Sequence, residues 1–357
     1  MKVLIIGQGL AGTLVGYRFE QGGHAVHYVN NPHYTAASEV AAGIVNPITG
    51  RRFVKSWRID ELLPELAETY TNLGKELGRT YWHPQALIRT LYNRGDVNDW
   101  QVRTADPGYR GYMDDAPEIG RIAQIAQPVF AYAGVRQAGR VNVRELVYDF
   151  WYSRQQETTN IAFNHAWVPM LLGDKPPDSS IPESLVGGFD LLIFCEGWRG
   201  RDNPYFHWAG HRGNKGEVLI IRTQEPLLDR IFKHRIFLVP LPERHAYWVG
   251  ATSENQFTDD ETSSTGYDFL KQRLDEVMTV PYEIIEHNAA VRPTVKDRRM
   301  VVGLHPQDNR LAILNGLGTK GASLAPMGAK WLFDLVATKK PIPDEVNVAR
   351  FFEPDRK

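Results

Sequence analysis

Apolar and polar blocks over the first thirty positions predict three consecutive elements. Val3 to Ile6 is a continuous apolar run closed by Gly7, as expected of a strand buried on both faces. Leu10 to Gln21 sets Leu14, Tyr17 and Arg18 at helical spacing, and Gly22-Gly23 ends that helix. Ala25 to Val29 is apolar again, which completes a βαβ opening. Further on, Leu62, Leu63, Leu66, Tyr70 and Leu73 stripe a helix from Ile59 to Leu77. A helix from Val143 to Tyr152 is expected to lead to a strand near Ile161, and Phe189 to Cys195 reads as another fully apolar strand.

The pattern then changes. Glu217 to Arg222, Arg235 to Val239 and Ala246 to Gly250 are β-like runs that suggest an antiparallel sheet. A helix is expected from Thr265 to Val280. A strand from Leu311 to Asn315 should run through a glycine turn into a helix from Ala325 to Lys339. Tyr81 to Ala133 mixes aromatics, prolines and glycines without a period, and Asp174 to Pro182 reads as a loop. These elements imply an α/β fold with an α+β second lobe. In it a Rossmann-type domain is interleaved along the chain with an antiparallel-sheet domain.

Composition narrows the function classes. The 357 residues are 43% hydrophobic and 23% charged with a formal net charge of -1, enough chain for two lobes with substantial cores. That balance gives no sign of a general affinity for nucleic acid or membrane. The single cysteine, Cys195, excludes an intramolecular disulfide and a cysteine zinc cluster. The Val3 to Ile6 run is too short for a signal sequence and no segment is long enough to span a bilayer, so a cytoplasmic location is expected. His207, His211, His234 and His245 lack the close spacing of metal ligands, and no metal is expected.

Three motifs carry chemistry. In Gly7-Gln8-Gly9-Leu10-Ala11-Gly12, the first glycine permits the tight turn and the second lets backbone approach a pyrophosphate. The third allows close helix–strand packing, and N–H groups at the helix start face the phosphates. The fingerprint expects an acidic residue about 20 positions on to grip the ribose. Here the second strand ends at Asn30-Asn31, and no Arg stands beside Asn30 to favour a 2′-phosphate. The second motif, Ala37 to Pro47, is either a surface of small residues for a flat ring or a packed helix start capped by Ser38. The third combines Arg292-Pro293-Thr294 and Asp297 with the turn Gly316-Leu317-Gly318-Thr319-Lys320-Gly321, which enters the last helix and offers backbone donors to a carbonyl or anionic ring edge.

Taken in order, these motifs resemble the D-amino-acid oxidase superfamily, in particular its glycine oxidase and sarcosine oxidase branch. The resemblance also includes Asp190 to Gly197, Phe237-Leu238-Val239-Pro240 and Val249-Gly250-Ala251-Thr252, and it fails over Tyr81 to Ala133. It implies noncovalent FAD and oxidation of the C–N bond of an amino acid or secondary amine by hydride transfer to flavin N5. It also implies an FAD-binding domain from 1–80, 135–210 and 285–357, and a substrate-binding domain from 81–134 and 211–284.

Carried over residue by residue, cofactor contacts fall on Gly7, Gly9, Leu10, Ala11, Gly12, Asn30, Asn31, Ser38, Ala41, Ala42, Gly43 and Ile44. They continue through Trp167, Cys195, Glu196, Gly197, Gly316, Gly318, Thr319, Lys320 and Gly321. Arg292 takes the place of the arginine that pairs with the substrate carboxylate, or else forms a structural salt bridge with a residue such as Asp297. Lys320 is either a cation near flavin N1 or a solvated lysine. Phe237 stands where the family often has a substrate-binding tyrosine, and Arg51 and Arg52 are either substitutes for the missing contact or solvated helix-start residues. Cys195, although relatives attach flavin through cysteine, sits in a buried strand and reads as inert. Gly318 to Gly321 with Ala325-Pro326 is also similar to the oxidase module of a tRNA-modifying enzyme that acts on carboxymethylaminomethyl-uridine. That alternative makes tRNA a partner, and Arg51, Arg52, Arg89, Arg94, Arg199 and Arg201 would line a basic funnel.

Overall fold

A computed structural model describes residues 1–353 of the chain. The Val3 to Ile6 run becomes the strand Lys2–Ile6 at the middle of a six-stranded sheet. The order is Thr158–Asn160, Ala25–Asn30, Lys2–Ile6, Leu191–Phe194, Asp308–Asn315 and Val301–His305. The first five strands are parallel and the last pairs antiparallel with Asp308–Asn315. Alternate residues of the central strand feed two cores, which is why its sequence shows no polar position. Val3 and Ile5 join Leu14, Leu66, Tyr70 and Leu332, while Leu4 and Ile6 join Trp167, Phe194 and Phe206.

Helices Leu10–Gln21, Ile59–Leu77 and Gly321–Thr338 cover the first of these faces. The last one begins four residues before the expected Ala325 and carries Pro326 inside it. Proline donates no N–H, so the Ala322 carbonyl one turn earlier lacks its helical partner. The Tyr70 hydroxyl, fully buried, donates to that carbonyl at 2.8 Å. One side-chain bond from a neighbouring helix therefore makes the proline tolerable.

The second sheet has eight strands in the order Glu283–Val295, His211–Arg222, Ala246–Gly250, Phe237–Pro240, Ile231–Lys233, Leu87–Leu91, Ala131–Val135 and Met113–Asp114. It is antiparallel except where Ile231–Lys233 runs parallel to Leu87–Leu91. Helix Ser264–Asp275, which ends before the expected Val280, packs Leu270 and Leu274 with Leu219, Ile221 and Val249 on one face. On the other face Val218, Val239, Trp248, Leu87 and Leu91 meet Ala42, Ile48, Phe53 and Ile59 from the N-terminal segment. Arg292, opposite Asn214 in register, and Lys233, opposite Phe237, lie on this second face.

Two parts of this sheet depart from the sequence expectation. Tyr81 to Ala133, expected to be irregular, contributes the strand Leu87–Leu91 and the helix Arg94–Ala105. Glu283–Val295 is the longest strand, yet its charged residues and Pro293 disguise it. It lies at the sheet edge, where a missing N–H costs no interior ladder bond. Among the described residues, no helix is long and apolar enough to cross a membrane.

Candidate active site

Three sequence-distant turns meet at the carboxyl ends of adjacent parallel strands. Gly7 follows Lys2–Ile6, Glu196-Gly197 follows Leu191–Phe194, and Gly316 follows Asp308–Asn315. The chain leaves Lys2–Ile6 in opposite directions, toward Ala25–Asn30 and later toward Leu191–Phe194. This is the switch point where open α/β sheets bind ligands. Asn315 ties two of the turns together: its amide donates to the Gly197 carbonyl at 2.8 Å, and its side-chain oxygen accepts from the Gly316 N–H at 2.7 Å.

Residue size is enforced at the first turn. A Cβ on Gly12 would stand 1.9 Å from the Gly7 carbonyl oxygen, and one on Gly7 would stand 2.5 Å from that of Cys195. Gly9, by contrast, would meet only the Ser38 hydroxyl at 3.3 Å and Ala36 at 4.0 Å, so the side that faces outward is open. The first helical bond, Thr13 N–H to the Gly9 carbonyl at 2.9 Å, leaves the N–H groups of Ala11 and Gly12 outside the ladder. Gln8 is buried and neither its oxygen nor its nitrogen has a partner. A cradle free of side chains, free donors and an orphaned amide fit a pyrophosphate-bearing dinucleotide.

The remaining expected contacts are placed as follows. The Ser38 hydroxyl accepts from Leu10 N–H at 3.0 Å, so it caps the first long helix and not the short helix Ala37–Val40 that contains it. Ala41, Ala42 and Gly43 lead into Ile44–Val45, which pairs with Gly139–Val141. Asn30 ends its strand, and the side-chain oxygen of Asn31 is committed to the His33 N–H at 3.1 Å. Both Glu196 oxygens are already engaged, by His165 at 2.8 Å and Asn203 at 2.7 Å. Trp167 is a core side chain whose indole N–H donates to Ser180, so the ring offers no donor to the cleft. Cys195 is buried, burial holds its thiol well above the usual range, and it is unsuited to attack a flavin.

Among the described residues, Arg292 is not in an ion pair. The expected alternative, a bridge to Asp297, is overturned, because Asp297 pairs with Arg350 at 2.9 Å. The Arg292 guanidinium lies over Gly216, where any Cβ would stand 2.0 Å from it. It donates to the Asn214 side-chain oxygen at 2.7 Å and the Thr252 carbonyl at 3.3 Å. Asn214 is itself fixed by contacts of its amide to Ser253, the Glu254 carbonyl and Asn255, and by a bond from the Ser253 hydroxyl to its oxygen. Burial pulls the Arg292 pKa down, and among the described residues no carboxylate stands within salt-bridge distance of it. A positioned, half-buried cation with only neutral partners is suited to an incoming carboxylate.

Lys320 occupies the 3-10 turn Gly318–Lys320, ahead of Gly321 and the last helix, with Thr319 exposed beside it. It is not a freely solvated lysine. Its ammonium donates to the Ser56 hydroxyl at 3.3 Å, and burial, followed by the charge of Arg299, lowers its pKa. Arg51 and Arg52 lie in the exposed turn between Ile48–Thr49 and Val54–Lys55. Of the other arginines expected in a funnel, Arg199 pairs with Asp260 and Arg201 with Asp202, while Arg94 is exposed.

Asn214 and Lys233 escaped the sequence reading. Lys233, Phe237 and Arg89 are register partners across three neighbouring strands and so share one sheet face. Arg89 lies over the Phe53 ring at 4.4 Å and Lys233 over the Phe237 ring at 4.4 Å, so both sit on the face that packs Leu87, Val239 and Trp248. Burial, then the charge of Arg89, lowers the Lys233 pKa to about 8. An unfolded lysine titrates near 10.4, so between about pH 8 and 10.4 the unfolded chain binds the extra proton. The stability contributed by Lys233 therefore rises with pH across that window. In urea unfolding, the ligand-free protein should gain stability over Lys233→Met from about pH 7 to about pH 10. A difference that stays flat contradicts this.

Among known proteins, the glycine oxidase of Pseudomonas aeruginosa is 22% identical over 363 residues, with 96% of each chain covered. The solved glycine oxidase of Geobacillus kaustophilus superposes with a TM-score of 0.78 at 19% identity, covering 99% of this chain and 98% of that one. An iminodiacetate oxidase from a Chelativorans species gives 0.74 at 20% identity, covering 97% and 98%. The model for the DAO family, described as FAD dependent oxidoreductase, matches residues 2–335. The chain therefore belongs to the DAO family of FAD-dependent oxidoreductases, and FAD is its cofactor.

Proposed function

We propose that the protein oxidises the C–N bond of an amino acid or secondary amine that carries a carboxylate. The observation that carries this reading is Arg292, a positioned guanidinium with no acidic partner on the sheet face that lines the cleft. The glycine oxidase and iminodiacetate oxidase likenesses support it, since both named substrates are carboxylated amines. When bound noncovalently, FAD supplies a two-electron acceptor for the hydride equivalent leaving the amine-bearing carbon.

The chain's own residues do the rest. Gly7, Gly9 and Gly12 admit the pyrophosphate, and the N–H groups of Ala11 and Gly12 hold it at the helix start. Arg292, oriented by Asn214, takes the substrate carboxylate in a bidentate contact. Lys320 and the Gly318 to Gly321 backbone supply positive charge where the flavin ring would gain negative charge. Residues 1–80, 135–210 and 285–357 are read as the part that holds FAD, except that Glu283–Val295 lends Arg292 to the substrate side. A tRNA substrate is less well supported, because Arg199 and Arg201 are already ion-paired.

Paired substrates test this. N-methylglycine and other N-alkyl glycines should be oxidised with kcat/KM at least ~100-fold above the same amines lacking the carboxylate, the worth of a charge-assisted buried contact. Equal rates on both sets would remove Arg292 from substrate recognition.

A further inference from the structure

Arg292 is not the only unpaired cation on the cleft face. Arg89 and Lys233 lie side by side on parallel strands, Lys233 opposite Arg89 and Phe237 opposite Lys233. The Lys233 ammonium donates to the Arg235 carbonyl at 3.2 Å and otherwise rests on the Phe237 ring. One Arg89 nitrogen makes a long contact of 3.4 Å to the Gly50 carbonyl, and its Nε is buried without any partner. Among the described residues, neither has a carboxylate within salt-bridge distance. Asp96, whose field favours the charged Arg89, caps the Tyr92 N–H at 2.8 Å instead.

Two like charges held together away from water repel each other and lose hydration. Cation–π contacts hold Arg89 on Phe53 and Trp100, at 4.4 and 5.8 Å, and Lys233 on Phe237, at 4.4 Å, but they do not neutralise either charge. Arg51 and Arg52, in the same turn as Gly50, add exposed positive charge next to the residue Arg89 touches. The ring of Phe237 lies between this pair and the centre of the sheet.

We propose that Arg89 and Lys233 form a second anion subsite, which takes a carboxylate or phosphate at the far end of the amine substrate. The inference rests on the proposed oxidation of a carboxylated amine at Arg292. The strands of Lys233 and Arg292 are separated by four interstrand steps, on the order of 19 Å at the backbone. An anion at Arg89 and Lys233 is therefore carried on an extended N-substituent or side chain and not on the α carbon. Phe237 in place of a hydroxyl-bearing ring leaves the middle of the site apolar, suited to the methylenes of such a chain.

The test uses the FAD-loaded enzyme and N-substituted glycines of increasing length that end in a methyl, a carboxylate or a phosphonate. The wild type should prefer an anionic end over the methyl of equal length by at least about ten-fold in kcat/KM. The carboxylate and phosphonate arms identify which anion the site takes. In Lys233→Met and in Arg89→Met, the loss on anion-ended substrates should exceed the loss on N-methylglycine by at least about ten-fold. A turnover-independent arm measures the rise in Tm given by adipate or inorganic phosphate, expected for the wild type and lost in the double variant Arg89→Met, Lys233→Met.

No preference for an anionic end, or equal losses on every substrate, overturns the proposal while leaving the Arg292 reading intact. If no carboxylated amine is oxidised but the Tm shift is lost in the double variant, the anion subsite stands and the oxidation reading fails.

Discussion

Arg292→Met is expected to cut kcat/KM for carboxylated amines by about 10²- to 10³-fold, with FAD content unchanged. The size follows from a charge-assisted contact worth ~1.5–3 kcal/mol, or ~3–5 kcal/mol when one partner of a desolvated pair is removed. The side chain is half-buried and burial already lowers its pKa, so the native protein bears the cost of an uncompensated charge. Methionine removes that cost at similar length; the Asn214 oxygen and the Thr252 carbonyl each lose one donor, and Asn214 keeps that of Ser253. Tm should therefore change little. The same substitution at a structural ion pair would lower Tm and leave KM alone, so unfolding and kinetics measured on one preparation separate the two roles.

Gly9→Ala should abolish or strongly weaken FAD retention while the ligand-free protein stays folded. Gly9 has φ -76° and ψ -168°, which alanine adopts without strain. Its added Cβ meets the Ser38 hydroxyl at 3.3 Å and nothing else closely, so the protein barely resists it. What the methyl fills is the space through which a pyrophosphate approaches the backbone. Gly12→Ala gives the contrasting case, since its Cβ would stand 1.9 Å from the Gly7 oxygen and the turn itself must open. Flavin-to-protein ratio after gel filtration and the unfolding midpoint check both variants. Full flavin content in Gly9→Ala would show that the pyrophosphate lies elsewhere.

The N-terminal βαβ unit was legible because each of its residues serves one local purpose. Val3 to Ile6 is apolar since both sides of the strand are covered, and Gly7 and Gly12 are small since backbone presses on them. The site beyond this turn is assembled by contacts that leave no local pattern. Arg292 stands on a strand whose Pro293 and charged neighbours conceal it, and its value comes from Asn214 and Gly216, about eighty residues earlier. Lys233 closes a three-residue strand too short to leave a period in the sequence, and only register brings it beside Arg89 and Phe237. The last helix was expected to start at Ala325, with Pro326 in its first turn, and the donor that lets it start four residues earlier, Tyr70, lies on another helix.

The N-terminal turn and the Arg292 side chain together make one claim, that bound FAD is reduced by a carboxylated amine. The most direct test is anaerobic mixing of the FAD-loaded protein with a panel of amino acids and N-alkyl glycines, following the absorbance of the oxidised flavin. The expected result is saturable bleaching by one or more carboxylated amines, and no bleaching by their decarboxylated counterparts. A protein that takes up no FAD, or whose flavin stays oxidised with every carboxylated amine, would contradict the account.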